Sequence, residues 1–173
     1  MNFLAPEIAH MDFTNFMRQA MREADASGRE YDLPIGAVVV INGQIIARGR
    51  SARKHHQNQL RHAELNALLE GGLPLWENYE RAVLITTVEP CPLCLGAAVM
   101  ADVPHIIYAL SDKNVHSKLS VDTNPYIREH IRSYYGGVLA EEVKALVSRY
   151  DPAFLEVLAG KSPNRDKGAR LDQ

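Results

Sequence analysis

Two short runs constrain this chain more than any other feature. They are His62-Ala63-Glu64 and Pro90-Cys91-Pro92-Leu93-Cys94, on either side of a predicted strand. One imidazole and two thiolates are ligands of the right softness for Zn²⁺. Three protein ligands leave the fourth tetrahedral position open, which separates a reactive zinc from a structural one. The chain holds only two cysteines, Cys91 and Cys94, so it has no disulfide framework. A closed structural site needs a fourth ligand, and no third cysteine exists to supply it.

A length of 173 residues is enough to bury a sizeable core without staples. We expect one domain over residues 1–160 and a flexible, polar C-terminal tail over 161–173. The net charge of −2 does not suit a protein built around nucleic acid. Met1 to His10 lacks a basic start followed by an apolar run, so no signal peptide is expected. No apolar stretch reaches the roughly 18 residues of a membrane span. Together these imply a cytoplasmic chain with reduced thiols.

Hydrophobic spacing sets the elements. Phe13, Phe16, Met17, Ala20, Met21 and Ala24 recur at threes and fours, predicting a helix with Asp12 as its N-cap. Ile35–Ile41 and Gln44–Ala47 flank Asn42-Gly43, the strongest short-range hairpin signal. His62–Glu70 reads as a helix stopped by Gly71-Gly72, and Ala82–Thr87 as a central strand. Cys91–Ala101 reads as a helix and Val103–Leu110 as a further strand. Lys113–Asn124 is polar and without period, the pattern of a long loop or lid. Pro125–Tyr135 reads as helical, as does Ala140–Arg149, with a further turn at Phe154–Leu158. This order predicts an α/β fold: a mixed sheet with helices packed on it.

On these elements Glu64 follows His62 by two residues, so the two side chains leave the helix start on different azimuths. The histidine can bind a metal while the carboxylate stays beside it. Cys91 and Cys94 are three apart at a helix start, where the dipole and free amides favour thiolates. Zinc held there lowers the pKa of water towards about 7. A nearby carboxylate can then move protons from water to a ring nitrogen and a leaving amine. The pattern H-x-E followed by P-C-x-x-C marks zinc deaminases that act on bases. A thioredoxin-like redox pair at Cys91 and Cys94 is the rival reading, but it leaves His62 and Glu64 without a role.

His62-Ala63-Glu64 with Glu89-Pro90-Cys91-Pro92-Leu93-Cys94-Leu95-Gly96-Ala97 resembles the cytidine deaminase superfamily. It is nearest the branch of guanine deaminase, fungal cytosine deaminase and tRNA adenosine deaminase. The likeness runs from Leu33 to Tyr108 and more weakly to Arg149. It implies a three-layer α/β/α fold around a mixed five-stranded sheet. It implies one Zn²⁺ per subunit on His62, Cys91 and Cys94, with Glu64 as the catalytic proton shuttle. It also implies a homodimer. The backbone carbonyl of Glu89 would receive the departing amine, and the amides near Ala63 and Cys91 would lie beside the reacting water. Phe154 lies where C-terminal segments of the family cover the site. One position departs from the pattern. The family's base-contacting Asn, eleven residues before the zinc histidine, is Ser51 here. Serine keeps a donor and an acceptor but loses reach, and such a change alters substrate rather than chemistry.

No acidic residue occurs between Asp32 and Glu64, whereas Arg48, Arg50, Arg53, Lys54, His55, His56 and Arg61 do. Such a run can contact phosphate, although charge runs are most often solvated faces. The loop Ser111–Ser117 is unlike that of the tRNA enzyme. The expected substrate is therefore a small cytosine- or guanine-like base, hydrolysed with release of ammonia, with adenosine in tRNA as the alternative. Trp76, Tyr126 and His116 are further aromatic candidates for stacking on a base, although core packing is their commoner use.

Overall fold

The computed structural model describes residues 2–161. The tail expected over 161–173 lies, from 162 onward, outside the described residues. A long helix α1 (Phe13–Arg29) opens the fold, capped by the Asp12 side chain, which accepts from the amide of Asn15. The hairpin follows as β1 (Gly36–Ile41) and β2 (Gln44–Arg50). Asn42 and Gly43 both take positive φ at its tip, as a tight hairpin turn demands. Next come α2 (Ala63–Glu70), α3 (Gly72–Asn78), β3 (Ala82–Val88), α4 (Pro92–Met100) and β4 (His105–Leu110). The chain continues through α5 (Ser117–Thr123), α6 (Pro125–His130), β5 (Ser133–Tyr135), α7 (Ala140–Tyr150) and α8 (Pro152–Leu158).

The five strands lie in the order β2-β1-β3-β4-β5. β1 runs antiparallel to both β2 and β3, whereas β3, β4 and β5 are parallel. The sheet is therefore mixed, as expected. Its side chains alternate between two apolar layers with the strand period of two. Ala37, Val39, Leu84, Ile106 and Tyr108 point to one layer, shared with Ala67 of α2 and Leu95 and Val99 of α4. Val38, Val40, Val83, Ile85 and Ile107 point to the other, shared with Met17 and Ala20 of α1 and Val143 and Val147 of α7. Burial on both faces explains why these strands read as continuous apolar runs.

The helix ends at Glu70 with Gly71 as its C-cap, as expected, but the segment that follows is not a loop: Gly72, at a φ of +46°, starts α3. Two expectations are corrected. The segment read as a loop over 113–124 contains α5, anchored by buried Ser117 and Val121. Pro125–Tyr135 is half helix and half strand: α6 ends at His130, and β5 adds the edge strand beside β4.

Candidate metal centre

The end of β2, the start of β1, the end of β3 and the turn after β4 meet at one end of the sheet. Both metal-ligand runs start helices there. His62 is the N-cap of α2 and Cys91 the N-cap of α4. His62 and Cys91 thus each sit one residue before the helix truly begins, in extended backbone that lets the side chain turn towards its neighbour, while Cys94 lies in the first turn of α4. Gly49 allows α2 to lie on β2, since a Cβ there would fall on the backbone oxygen of Ala63 and the amide of Ala67. Asn66 fixes the same contact by donating to the carbonyl of Arg50 at 2.9 Å.

The Nδ1 of His62 lies 3.4 Å from the Cys91 sulfur and 3.5 Å from that of Cys94. Zn–S bonds of about 2.3 Å and Zn–N bonds of about 2.0 Å give tetrahedral edges of roughly 3.6 Å, so the trio is spaced for one ion. Among the described residues it is the only group of this kind whose ligand atoms all lie within 4.8 Å of one another. Hydrogen bonds from Cys94 and His62 pull Cys91 down to about 4. The bond to Cys91, together with burial, pushes Cys94 upward. The Cys91 thiolate in turn raises His62. The donor set therefore fits Zn²⁺, a site of two sulfurs and an imidazole nitrogen with room for a further ligand.

Glu64 lies beside this trio. It is buried in the first turn of α2, where its Oε1 accepts from Thr86 of β3 at 3.2 Å and its Oε2 accepts from the Cys94 thiol at 3.5 Å. Burial raises its carboxyl above the usual range, so it can carry a proton nearer neutral pH. A cavity of about 130 Å³, the scale of a single flat heterocycle, opens against these groups. Ser51, Ala63, Glu89 and Phe154 all line it, together with His62, Glu64 and Cys91. Trp76, Tyr126 and His116 do not line it; Trp76 lies on α3 and is 78% exposed.

The carboxylate of Glu89 turns away to a task the sequence did not disclose. It accepts from the Tyr134 hydroxyl at 2.9 Å and from the Asp112 amide at 3.0 Å, tying β3 to β5 and to the turn after β4. That turn is joined to α8 through the Lys113 amide, which donates to the carbonyl of Leu158 at 3.0 Å. The wall carrying Phe154 is thus braced by the turn that carries Asp112. Sequence reasoning missed Asp112 as a pocket residue, and named Arg53 only as one charge in a basic run; both line the cavity.

The model of the cytidine and deoxycytidylate deaminase zinc-binding region matches residues 11–110, which include the trio and Glu64. A Streptococcus pyogenes tRNA-specific adenosine deaminase is 38% identical over 102 residues, 58% of this chain and 64% of the relative. The chain thus spans less than two thirds of the length of that relative. The Bacillus subtilis enzyme of the same name is 35% identical over 139 residues, covering 78% of this chain and 86% of the relative. A structure from work on A-to-I editing by tRNA:A34 deaminases superposes with a TM-score of 0.67 at 27% identity, covering 77% of this chain and 99% of the other. On a match that spans more than half its length and carries the whole ligand set, this chain belongs to the family defined by the cytidine and deoxycytidylate deaminase zinc-binding region.

Proposed function

We propose that this chain is a zinc-dependent hydrolytic deaminase that converts an adenosine carried in tRNA to inosine and releases ammonia. The observation that supports the reaction class is Glu64, buried beside the His62–Cys91–Cys94 trio, with Thr86 donating to its Oε1. Bound zinc would supply water activated at neutral pH. Glu64 takes a proton from that water and passes protons to the ring nitrogen and the leaving amine. The oxygen of water replaces the amine, which departs as ammonia past the backbone carbonyl of Glu89. The amides of Ala63 and Cys91 hold the reacting edge, and Phe154 covers it.

The choice of tRNA rests on the two bacterial relatives, both tRNA-specific adenosine deaminases. This reverses the order expected from the sequence, which set a free base first. A free base stands as the second reading because of Ser51. Its hydroxyl hydrogen is committed to Asp32 at 2.7 Å, so it offers the pocket lone pairs only. That suits a ring N–H, which a free base has and an adenosine ring lacks.

The partners in this reading are tRNA and a second copy of the chain. Leu69, Leu73, Trp76, Met100 and Tyr126 are exposed on α2, α3, α4 and α6, and a Cβ at Gly96 of α4 would meet nothing. An apolar face of this kind marks an interface, and a homodimer would cover it. Among the described residues no helix is long and apolar enough to cross a membrane. A reducing compartment such as the cytoplasm keeps both thiols available as ligands.

The deciding experiment measures ammonia from zinc-loaded protein given a tRNA transcript, adenosine, adenine, cytosine or guanine, with inosine assayed in the tRNA. Inosine in tRNA is the expected result. Turnover of free bases with none on tRNA would move the assignment to the second reading.

A further inference from the structure

The basic run between β2 and α2 is not one patch. Most of its charges are already engaged. Arg48 pairs with Glu23 at 3.7 Å, and Arg50 pairs with Glu30 at 2.8 Å. Lys54 donates to the carbonyl of Tyr31, and Arg61 donates to Asn66. These four brace α1, α2 and the loop between them.

Arg53 differs in both position and partners. Among the described residues it is the one lysine or arginine that lines the candidate catalytic cavity, which Ser51 also lines. Its Nη1 makes a long hydrogen bond to Gln59 at 3.5 Å. Its Nε is buried and has no acceptor. Asp32 lies close enough for the guanidinium to act on its charge. Yet Asp32 already accepts from the Ser51 hydroxyl and from the amides of Leu33 and Lys54. Among the described residues, then, the Nε–Nη2 edge of the guanidinium has no carboxylate to serve.

A guanidinium is a planar set of N–H donors, the geometry that the oxygens of one phosphate accept together, and the burial of Nε leaves the Nη groups to make that contact. We propose that Arg53 is a specificity-determining contact that holds a phosphate ester attached to the nucleotide whose base enters the cavity. The proposal rests on the reading of an adenosine carried on a nucleotide. The phosphate chemistry is the same whether it comes from a mononucleotide or from the RNA backbone. Glu64 and Asp112 line the same cavity, and a carboxylate repels a phosphate, so the phosphate sits against Arg53 and the neutral base against the two acids. The arginine sorts ligands by the charge they carry outside the ring.

The test compares kcat/KM for adenosine, its 3′- and 5′-monophosphates and a tRNA transcript, in wild type, Arg53→Gln and Arg53→Lys. Zinc content is measured for each protein as the check on folding. For Arg53→Gln the ratio of phosphorylated to unphosphorylated substrate should fall at least about tenfold. The salt slope on tRNA should shrink by about one. Arg53→Lys should restore part of the ratio, since it keeps the charge but not the paired donors. A loss seen with the monophosphates assigns the contact to the nucleotide itself; a loss seen only with tRNA assigns it to the RNA backbone. An unchanged ratio in Arg53→Gln, with tRNA still deaminated by wild type, overturns the Arg53 contact alone. Turnover of a monophosphate without turnover of tRNA overturns the tRNA reading, and the ratio still decides Arg53. Activity confined to free bases overturns both.

Discussion

The hydroxyl of Ser51 donates to Oδ1 of Asp32 across 2.7 Å, at the point where β2 ends and the cavity begins. The amides of Leu33 and Lys54 complete the shell of that carboxylate at 2.8 and 2.7 Å. Burial pushes the Asp32 carboxyl upward, but these hydrogen bonds outweigh it and hold the group below its ordinary value. An ionised Asp32 can only accept, so the hydroxyl hydrogen of Ser51 has one place to go.

Ser51→Ala should therefore cost stability, because it leaves a buried carboxylate one donor short. The expected loss is about 1–3 kcal/mol in urea unfolding at neutral pH. The sign with pH follows from the lowered value. Asp32 contributes stability above its unfolded pKa of about 3.9, and that contribution is lost as pH falls through the lower folded value. The difference between wild type and variant should shrink as the titration goes acid. A constant difference down to about pH 2 would show that the hydroxyl does not serve the ionised carboxylate.

The same bond makes a prediction about substrate. Ser51→Asn reinstates an amide that can donate into the cavity while its oxygen still accepts. The kcat/KM ratio of tRNA adenosine to free base should rise at least about tenfold over wild type. If the ratio holds, position 51 does not read the base.

Glu64→Gln keeps the shape of the side chain and the hydrogen bond from Thr86 but removes the titrating oxygen. Ammonia release should fall by about 10²–10⁴, with about one zinc per chain still bound. Cys94→Ser should lose the zinc itself, because Cys94 is one of the trio. Removal of zinc from the wild type by a chelator should abolish activity in the same way and lower the melting temperature, with recovery on adding zinc back. Loss of zinc in Glu64→Gln would place the carboxylate among the ligands instead.

What the sequence disclosed and what it hid divide by distance along the chain. His62 with Glu64, and Cys91 with Cys94, are local pairs whose geometry a helix start decides, so their chemistry could be read directly. Asn42-Gly43 and the apolar runs of β1, β3 and β4 were legible for the same reason. The three residues of β5 are too few to show a period. α5 buries only Ser117 and Val121 in seven residues, which gives no amphipathic signal. The carboxylate of Glu89 serves Tyr134, 45 residues away, and no local pattern links them. Arg53 looked like one charge among seven basic and histidine residues until the fold paired off Arg48, Arg50, Lys54 and Arg61. The substrate wall is the part built from such distant meetings, and so the reaction was easier to read than its substrate.

Gly49 tests how the metal centre is held. A Cβ at this position would fall on the backbone of Ala63 and Ala67, and no rotamer of a neighbour can relieve that contact. Gly49→Ala should push the start of α2 away from β2, carrying His62 and Glu64 with it. The expected cost is about 1–3 kcal/mol of stability, together with weaker zinc retention. Gly43→Ala at the hairpin tip is the control. Gly43 has open space around it and a φ of +74°, so its variant should lose stability without losing zinc. Equal zinc retention in the two variants would mean that the β2–α2 contact does not position the ligand.

A last prediction concerns the far end of the sheet. His105 on β4 is 1% exposed, and its Nδ1 lies 2.9 Å from the Ser133 hydroxyl of β5. That hydroxyl accepts from the Ala5 amide, so its own hydrogen is free for Nδ1, and the ring proton falls on Nε2, facing Glu7 at 3.9 Å. Burial lowers the pKa of His105; Glu7 opposes this, and Arg132 adds to it. The fold therefore favours the neutral ring. Above the unfolded pKa of about 6.5 neither state is charged and nothing is lost. As pH falls below that value the unfolded chain takes up a proton that the folded chain resists, so stability declines until the folded value is passed. His105→Asn can still accept from Ser133 but cannot titrate. Melting temperatures of the zinc-loaded proteins between about pH 7.5 and pH 5 should fall more steeply for wild type than for His105→Asn. Parallel curves would show that His105 is not the group through which acid lowers stability here.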